Sequence, residues 1–212
     1  MATRGKITQA TLKLFARKGF EATSIRDIAL EAGLNSSTLY HYIKSKDDFL
    51  VSIMKNGLEE LIGYASEIVK SLDTPEKRLA ALVQMHIMIH GTHQLAMLVT
   101  DSEYKALNGK NKKKIRELRS EYEMIWRNVI EEGFSRKIFN KVSNVKLTTY
   151  ALLSMCTGIV HWYSAEGDIS LEQICIDYAQ MSLNLLGTHM DEKEITLYKF
   201  NLTVTNSKES NL

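Results

Sequence analysis

The chain is 212 residues long with 1 proline, 11 glycines, 44% hydrophobic and 25% charged residues, which excludes a loop-rich or all-β protein and predicts an all-α fold with a real core. Two cysteines, Cys156 and Cys175, make no disulfide framework, no apolar run approaches the roughly 20 residues of a membrane span, and no charged-then-apolar leader is present, so the expected setting is a reducing cytoplasm without membrane attachment. The net charge of +2 hides an asymmetry: residues 1–46 are net +5 and the remainder net −3, the pattern of a polyanion-binding head on a mildly acidic body.

Along the head, Ile7, Ala10, Leu14 and Phe15 recur at helical spacing from Thr3 to Lys18, and Gly19 stops the run. Thr23-Ser24 followed by Asp27 resembles a capping box, and Ile25, Ile28 and Ala29 form the buried face of a short second helix ended by Gly33. Asn35, Ser36 and Ser37 cap a third helix, expected from Ser36 to Ile43. The tight Gly-Leu-Asn turn between the second and third helices has helix-turn-helix spacing, the arrangement that places one helix in the major groove.

From Asp47 to Ser71 a connecting helix carries Phe49, Leu50, Ile53, Leu58, Leu61, Ile62 and Ile68. Pro75 opens the next, expected to run to about residue 91. A shorter segment from Gln94 to Leu107 precedes the basic stretch Lys110 to Lys114. The helix that follows carries Ile115, Leu118, Tyr122, Ile125, Trp126 and Val129 at three- and four-residue steps, with Gly133 expected to end it. Two further helices, Asn144–Tyr163 and Ser170–Leu186, are apolar around most of their circumference. The tail from Glu194 to Val204 alternates Tyr198, Phe200, Leu202 and Val204, a pattern open to an edge strand, a helix extension or frayed chain. The expected organisation is a helix-turn-helix head at 1–46, an effector-binding and dimerisation domain at 47–190, and a tail of uncertain structure at 191–212.

The third helix carries the chemistry of the head. Leu39 and Ile43 can pack inward, leaving Ser36, Ser37, Thr38, Tyr40, His41 and Tyr42 for phosphate oxygens and base edges, and the helix N-terminus adds amide donors. Lys44 and Lys46 extend the positive surface. A polar exposed helix alone fits an ordinary three-helix domain; the charge and the turn spacing tip the balance toward DNA. The stretch from Thr23 to Leu50, together with Ala10, Leu14-Phe15 and Lys18-Gly19-Phe20, resembles the DNA-binding domain of the TetR family of transcriptional regulators. Ile43 stands where that family usually has phenylalanine, and Lys44 where proline or another loop residue is common. The resemblance implies phosphate or base contacts from Ser36, Thr38, Tyr40, His41 and Tyr42, a phosphate contact from Lys46, core roles for Leu34 and Leu39, and no enzymatic activity.

The last two helices lack a clean polar face, so part of their surface is expected to meet another subunit, with Ser154, Thr157 and Gly158 permitting close approach. A symmetric dimer would set two recognition helices toward half-sites roughly 34–36 Å apart on double-stranded operator DNA. The resemblance implies the same dimer, with a four-helix interface. Six of the nine methionines, Met85, Met88, Met97, Met124, Met155 and Met181, lie between residues 85 and 181 with Trp126, Trp162, Tyr104 and Tyr122, and adaptable side chains suit either a pocket for a flexible apolar ligand or plain core. Glu103-Tyr-Lys-Ala-Leu107, Arg119-Ser-Glu-Tyr122, Trp126-Arg127, Glu131-Glu-Gly133 and Trp162-Tyr163 resemble the fatty-acyl-CoA-responsive branch of the family. That branch usually has a glycine before the phenylalanine after the seventh helix, where this chain has Lys137-Ile138 before Phe139. This resemblance implies a small apolar effector, with a long-chain acyl-CoA the candidate. Its tunnel would be lined by Leu82, Met85, His86, Ile89, Met97, Leu118, Tyr122, Ile125, Trp126, Met155, Ile159 and Trp162, with Arg119 or Arg127 toward the CoA phosphates.

Other constellations carry less. His86, His90 and His93 at i, i+4 and i+7 could ligate a metal if a carboxylate joined them, but matches of this looseness usually fail and Gly91 offers an end to the helix before His93, so no metal or cofactor is assigned. Cys156 and Cys175 could form a redox pair, although neither sits beside a Lys or Arg in sequence. No Gly-x-Ser-x-Gly, phosphate loop or paired-carboxylate motif supports a hydrolase. The competing reading is a helical binding protein whose basic head takes a partner other than DNA, distinguished by the absence of salt-steep retention on heparin.

Overall fold

The computed structural model describes residues 3–191 together with Ile195, Leu197 and Tyr198. Secondary structure among them is entirely helical: α1 (Thr3–Lys18), α2 (Ile25–Glu31), α3 (Ser36–Tyr40), α4 (Lys46–Ser71), α5 (Pro75–Thr92), α6 (Gln94–Ser102), α7 (Gly109–Ser135), α8 (Val145–Thr157) and α9 (Leu171–Leu185), with 3-10 turns at Glu103–Ala106 and Gly158–His161. Most of the expected tail segment, Glu194 to Val204, lies outside the described residues. The chain forms two compact units, one holding residues up to 57 with 95–115, the other holding 58–94 with residues from 116 onward, so the chain passes from one to the other within α4 and within α7. No helix among the described residues is long and apolar enough to cross a membrane.

In the first unit, α1 buries Ile7, Ala10, Leu14 and Phe15 against α2 and the Phe20 ring, which meets Phe15 edge-on at 5.4 Å. The α2 capping box is complete: the Ser24 hydroxyl accepts the Asp27 amide at 3.1 Å, and the Asp27 carboxylate accepts the Ser24 amide at 2.7 Å. Lys18, 2.7 Å from that carboxylate, and the Ser24 donors hold the Asp27 carboxyl far below the usual carboxylate range. At the end of α2 the Leu34 amide reaches back to the Ala29 carbonyl and the Gly33 amide to Leu30, closing a Schellman turn in which Gly33 takes φ +69° at no steric cost. Ile25 is only half-buried, so the inner face of α2 is narrower than its sequence implied.

The second unit is organised around α5, which is capped by the Thr74 hydroxyl with Pro75 in its first turn and packs along α9 and against α8. Leu79, Leu82, Val83, Met85, Ile87 and Ile89 are all buried, as expected of a helix surrounded by others. Helix α5 runs through Gly91 to Thr92, and α7 likewise continues through Gly133, which does not end it. The reason for glycine at 133 is close packing: a Cβ there would lie 2.2 Å from the Phe139 ring. The turn comes at Lys137, whose amide bonds Phe134 while the Ile138 amide bonds Gly133. This is the same Schellman geometry as at Gly33, but a lysine holds φ +58°. Arg78 ties the start of α5 to α7 through Glu132 and donates to the Leu72 carbonyl at 2.9 Å.

Candidate functional site

Helix α3 is anchored by Leu39, which is fully buried, and by Ile43, also buried in the place where the family has phenylalanine. The helix is shorter than its apolar spacing suggested, ending at Tyr40, although the Ile43 amide still bonds Leu39 at 3.1 Å and carries the turn onward. Of the three cap candidates Asn35 serves, its side-chain oxygen accepting the Thr38 amide at 2.8 Å. Around the buried anchor, Ser37, Tyr40, His41 and Tyr42 are exposed and Ser36 and Thr38 half-buried, so the hydroxyls, imidazole and phenols stand on one solvent-facing rim. Leu34, expected in the core, is only half-buried because it follows the αL residue of the turn. Lys46 has an internal role that its sequence position does not reveal. Its ammonium donates to the Phe20 carbonyl at 2.8 Å and lies 4.1 Å from the Phe20 ring centroid, fastening α4 to the loop before α2.

In the second unit His86 is the centre of a buried polar cluster. Its Nδ1 is 2.9 Å from the Tyr122 hydroxyl and its Nε2 is 3.1 Å from the Thr157 hydroxyl, so α5, α7 and α8 meet at one imidazole. His90 stacks on it at 3.8 Å between centroids and its Nδ1 lies 2.8 Å from the His86 carbonyl. Trp126 stands edge-on to the His86 ring at 5.8 Å and to Tyr122 at 6.2 Å. Burial pushes His86 well below the usual histidine range, assisted by His90, and pushes His90 down to about 4 against the opposing effect of the His86 carbonyl. The same desolvation pushes the Tyr122 phenol up. The cluster is therefore held neutral throughout the physiological range.

Not all nominated effector residues belong to this cluster. Leu82, Met85, Ile89 and Ile159 are buried in the second unit and Met155 and Leu118 half-buried there. Ile125 is turned toward an open surface hollow along α7 with Glu117, Glu121 and Met124. Met97 belongs to the first unit, where a Cβ on Gly57 would lie 3.0 Å from its terminal methyl carbon. Trp162 is 52% exposed, beyond the end of the 3-10 turn that replaces the last turn of the expected helix, and so lines no core. Arg127 is occupied by Glu123, four residues back on α7, and Arg119 is half-buried.

Thr157, expected at a subunit contact, instead faces inward to His86; its residue type and spacing gave no signal, because its partner lies 71 residues away. The histidine triplet does not converge: both His86 nitrogens are engaged, while His93 caps the end of α5 and opposes the burial that pushes the Glu60 carboxyl up. Among the described residues no group of three or more His, Cys, Asp or Glu side chains comes within reach of one metal ion. Cys156 and Cys175 are buried with their thiols pushed up by desolvation, Cys175 to about 12, which disfavours the reactive thiolate.

Residues 7–53 match the model of the tetR family of bacterial regulatory proteins, and residues 72–186 match the tetracyclin repressor-like C-terminal domain. The chain belongs to the TetR family. It is a DNA-binding helix-turn-helix transcriptional regulator, not an enzyme. Among its relatives, the chain is 27% identical to the repressor KstR2 of Rhodococcus jostii over 87% of its length and 91% of the relative's. It is 29% identical to the fatty acid metabolism regulator protein of Bacillus subtilis, over 87% and 94%. Among solved structures, AibR in complex with isovaleryl coenzyme A and operator DNA superposes with a TM-score of 0.75 at 21% identity, over 84% of this chain and 97% of that one.

Proposed function

We propose that this TetR-family protein is a repressor that holds operator DNA as a homodimer and is released by a small apolar effector, a long-chain acyl-CoA. The observation that carries the effector half of the reading is the neutral His86–Tyr122–Thr157 cluster, enclosed by helices whose other inward residues are mostly apolar. A core built only for stability gains little from such a group, since desolvating its polar atoms roughly cancels their hydrogen bonds. The B. subtilis relative is named for fatty acid metabolism and AibR was solved with an acyl-CoA, and both names fit an apolar ligand with one polar point of recognition.

On DNA, Ser36, Ser37, Thr38, Tyr40, His41 and Tyr42 meet phosphates and base edges, and Lys46 adds a phosphate contact while fastened to Phe20. The dimer is supported by apolar side chains that α8 and α9 leave at the surface, Leu147, Tyr150, Met181 and Leu185, each more than 40% exposed. The head occupies 1–46 and the effector and dimerisation functions 47–190. The test is release. Duplex selected from a random pool for binding to the protein is challenged with palmitoyl-CoA, and displacement is followed by fluorescence anisotropy. Dissociation at micromolar palmitoyl-CoA is expected; undiminished DNA binding together with no palmitoyl-CoA binding overturns the effector assignment.

A further inference from the structure

The basic stretch Lys110 to Lys114 has no part in the sites described above. With Lys105 it places five lysines and no acid between Tyr104 and Ile115, leaving the rest of residues 47–212 net −8. Lys105, Lys110, Lys113 and Lys114 are exposed and Lys112 half-buried, while Ile115 is buried and anchors the start of α7. Their position costs stability. The amino end of a helix carries positive partial charge, and α4 and α5 answer it with Asp47, Asp48 and Glu76 in their first turns, whereas α7 has no carboxylate there and carries Lys110 and Lys112 instead. Lys110 also faces Lys113 and Lys114 at three and four residues' distance, where like charges repel. Cations crowded together against both effects suit a polyanion that neutralises them.

The fold indicates which polyanion. Residues 95–115 form one compact unit with the helix-turn-helix, and α7 leaves that unit only after Ile115. Glu103 packs against Gly19 at the end of α1, where a Cβ would lie 3.7 Å from its carboxylate. Gly19 adjoins Phe20, whose carbonyl accepts the Lys46 ammonium at 2.8 Å. Tyr104, the residue after Glu103, has the Lys112 ammonium 5.6 Å from its ring centroid. A chain of contacts thus joins the lysines of α7 to the cation that opens α4. A unit that docks on a duplex through α3 carries this patch with it, and the duplex continues beyond the bases that α3 reads with one negative charge per about 1.7 Å.

We infer that Lys110, Lys113 and Lys114 form a second DNA surface, contacting backbone phosphates that flank the site read by α3. The inference rests on DNA binding by the helix-turn-helix and is independent of the effector. Contacts of this kind add affinity and fix the orientation of the head without adding sequence preference.

The test compares a core duplex, selected from a random pool and trimmed to the shortest length that binds, with the same core extended by about ten base pairs, one helical turn, at each end. Affinities are measured by anisotropy across a salt series for the wild type and for the variant combining Lys110→Gln, Lys113→Gln and Lys114→Gln. Binding to the core reports the head alone and is expected to be nearly equal in the two proteins. The wild type is expected to bind the extended duplex at least about tenfold more tightly than the core at low salt, with a steeper salt slope. The variant is expected to lose that gain, its slope on the extended duplex falling by about 1 to 3 for each protomer bound. Arginine at the same three positions is expected to keep the gain. A wild type that gains nothing from the flanks overturns the proposal, as does a glutamine variant that keeps the full gain. A second measurement needs no variant. Acetylation of the wild type, read lysine by lysine by mass spectrometry, is expected to find Lys110, Lys113 and Lys114 shielded by the extended duplex and not by the core; equal labelling with both duplexes overturns the proposal.

Discussion

In the helix-turn-helix, Tyr40, His41 and Tyr42 stand exposed around a buried Leu39, whereas in the second unit His86, Tyr122 and Thr157 satisfy one another inside an apolar core. On the proposed function, the first arrangement leaves polar groups hydrated until DNA replaces the water, so removing one is expected to cost affinity and little stability. The second removes polar groups from water at folding, so every change to it is felt in stability, ionisation and ligand recognition together. On the proposed function, one protein keeps two recognition chemistries in opposite solvent environments, and each region is expected to fail in its own way.

The largest expected difference between the regions is in acid. Because His86 and His90 are depressed when folded, the native state binds fewer protons than the unfolded one. Stability is full above the unfolded histidine value near 6.5 and is lost as pH falls toward the folded values, His90 reaching about 4. His90 alone accounts for about 2 to 3 kcal/mol between pH 7 and pH 4.5. Urea unfolding followed by tryptophan emission at the two pH values measures this, and His90→Gln is expected to flatten the dependence; an unchanged slope in that variant would remove the histidine cause.

Smaller effects separate residues within the head. Thr38→Ala or His41→Ala is expected to cost about 1 to 3 kcal/mol of operator binding and to shift sequence preference, with the melting temperature unchanged. Lys46→Ala is expected to weaken binding to all sequences and also to destabilise the head by about 1 kcal/mol, because it loses the bond to the Phe20 carbonyl. Anisotropy and melting measured on the same samples decide this, and loss of stability on Thr38→Ala would place that side chain in the fold instead of on the DNA.

The smallest effect compares two turns of one geometry, Gly33 in the first unit and Lys137 in the second. Lys137→Gly is expected to stabilise the second unit by about 1 kcal/mol by relieving a left-handed lysine, and Gly33→Ala to destabilise the first by a similar amount. Chemical denaturation measures both.

The two regions also differ in how far a sequence reader can reach. The head is specified by interactions three to five residues apart: Ser24 with Asp27, Asn35 with Thr38, Gly33 at its turn. Such pairs are visible in a string of letters, and the exposed rim of α3 follows once Leu39 is recognised as the anchor. Lys46 was legible as a cation but not as a tether, since Phe20 lies 26 residues away. In the second unit the helices were legible, yet the meaning of His86 was not, because its partners sit 36 and 71 residues off. Gly133 looked like a helix stop because the pressure that requires it comes from Phe139 folding back, not from its own φ. Trp162 carried the same aromatic signal as Trp126, and only the end of its helix one turn early separates a surface ring from a core one.

On the proposed function the neutral cluster and the DNA-binding rim form one coupled system, and coupling free energy is reciprocal. Palmitoyl-CoA is titrated into the protein alone and into the protein saturated with its selected duplex, and the duplex is titrated in turn with and without saturating palmitoyl-CoA. Each ligand is expected to weaken the other by the same factor, about 5- to 150-fold. Palmitoyl-CoA binding with the same affinity whether or not the duplex is bound would contradict it.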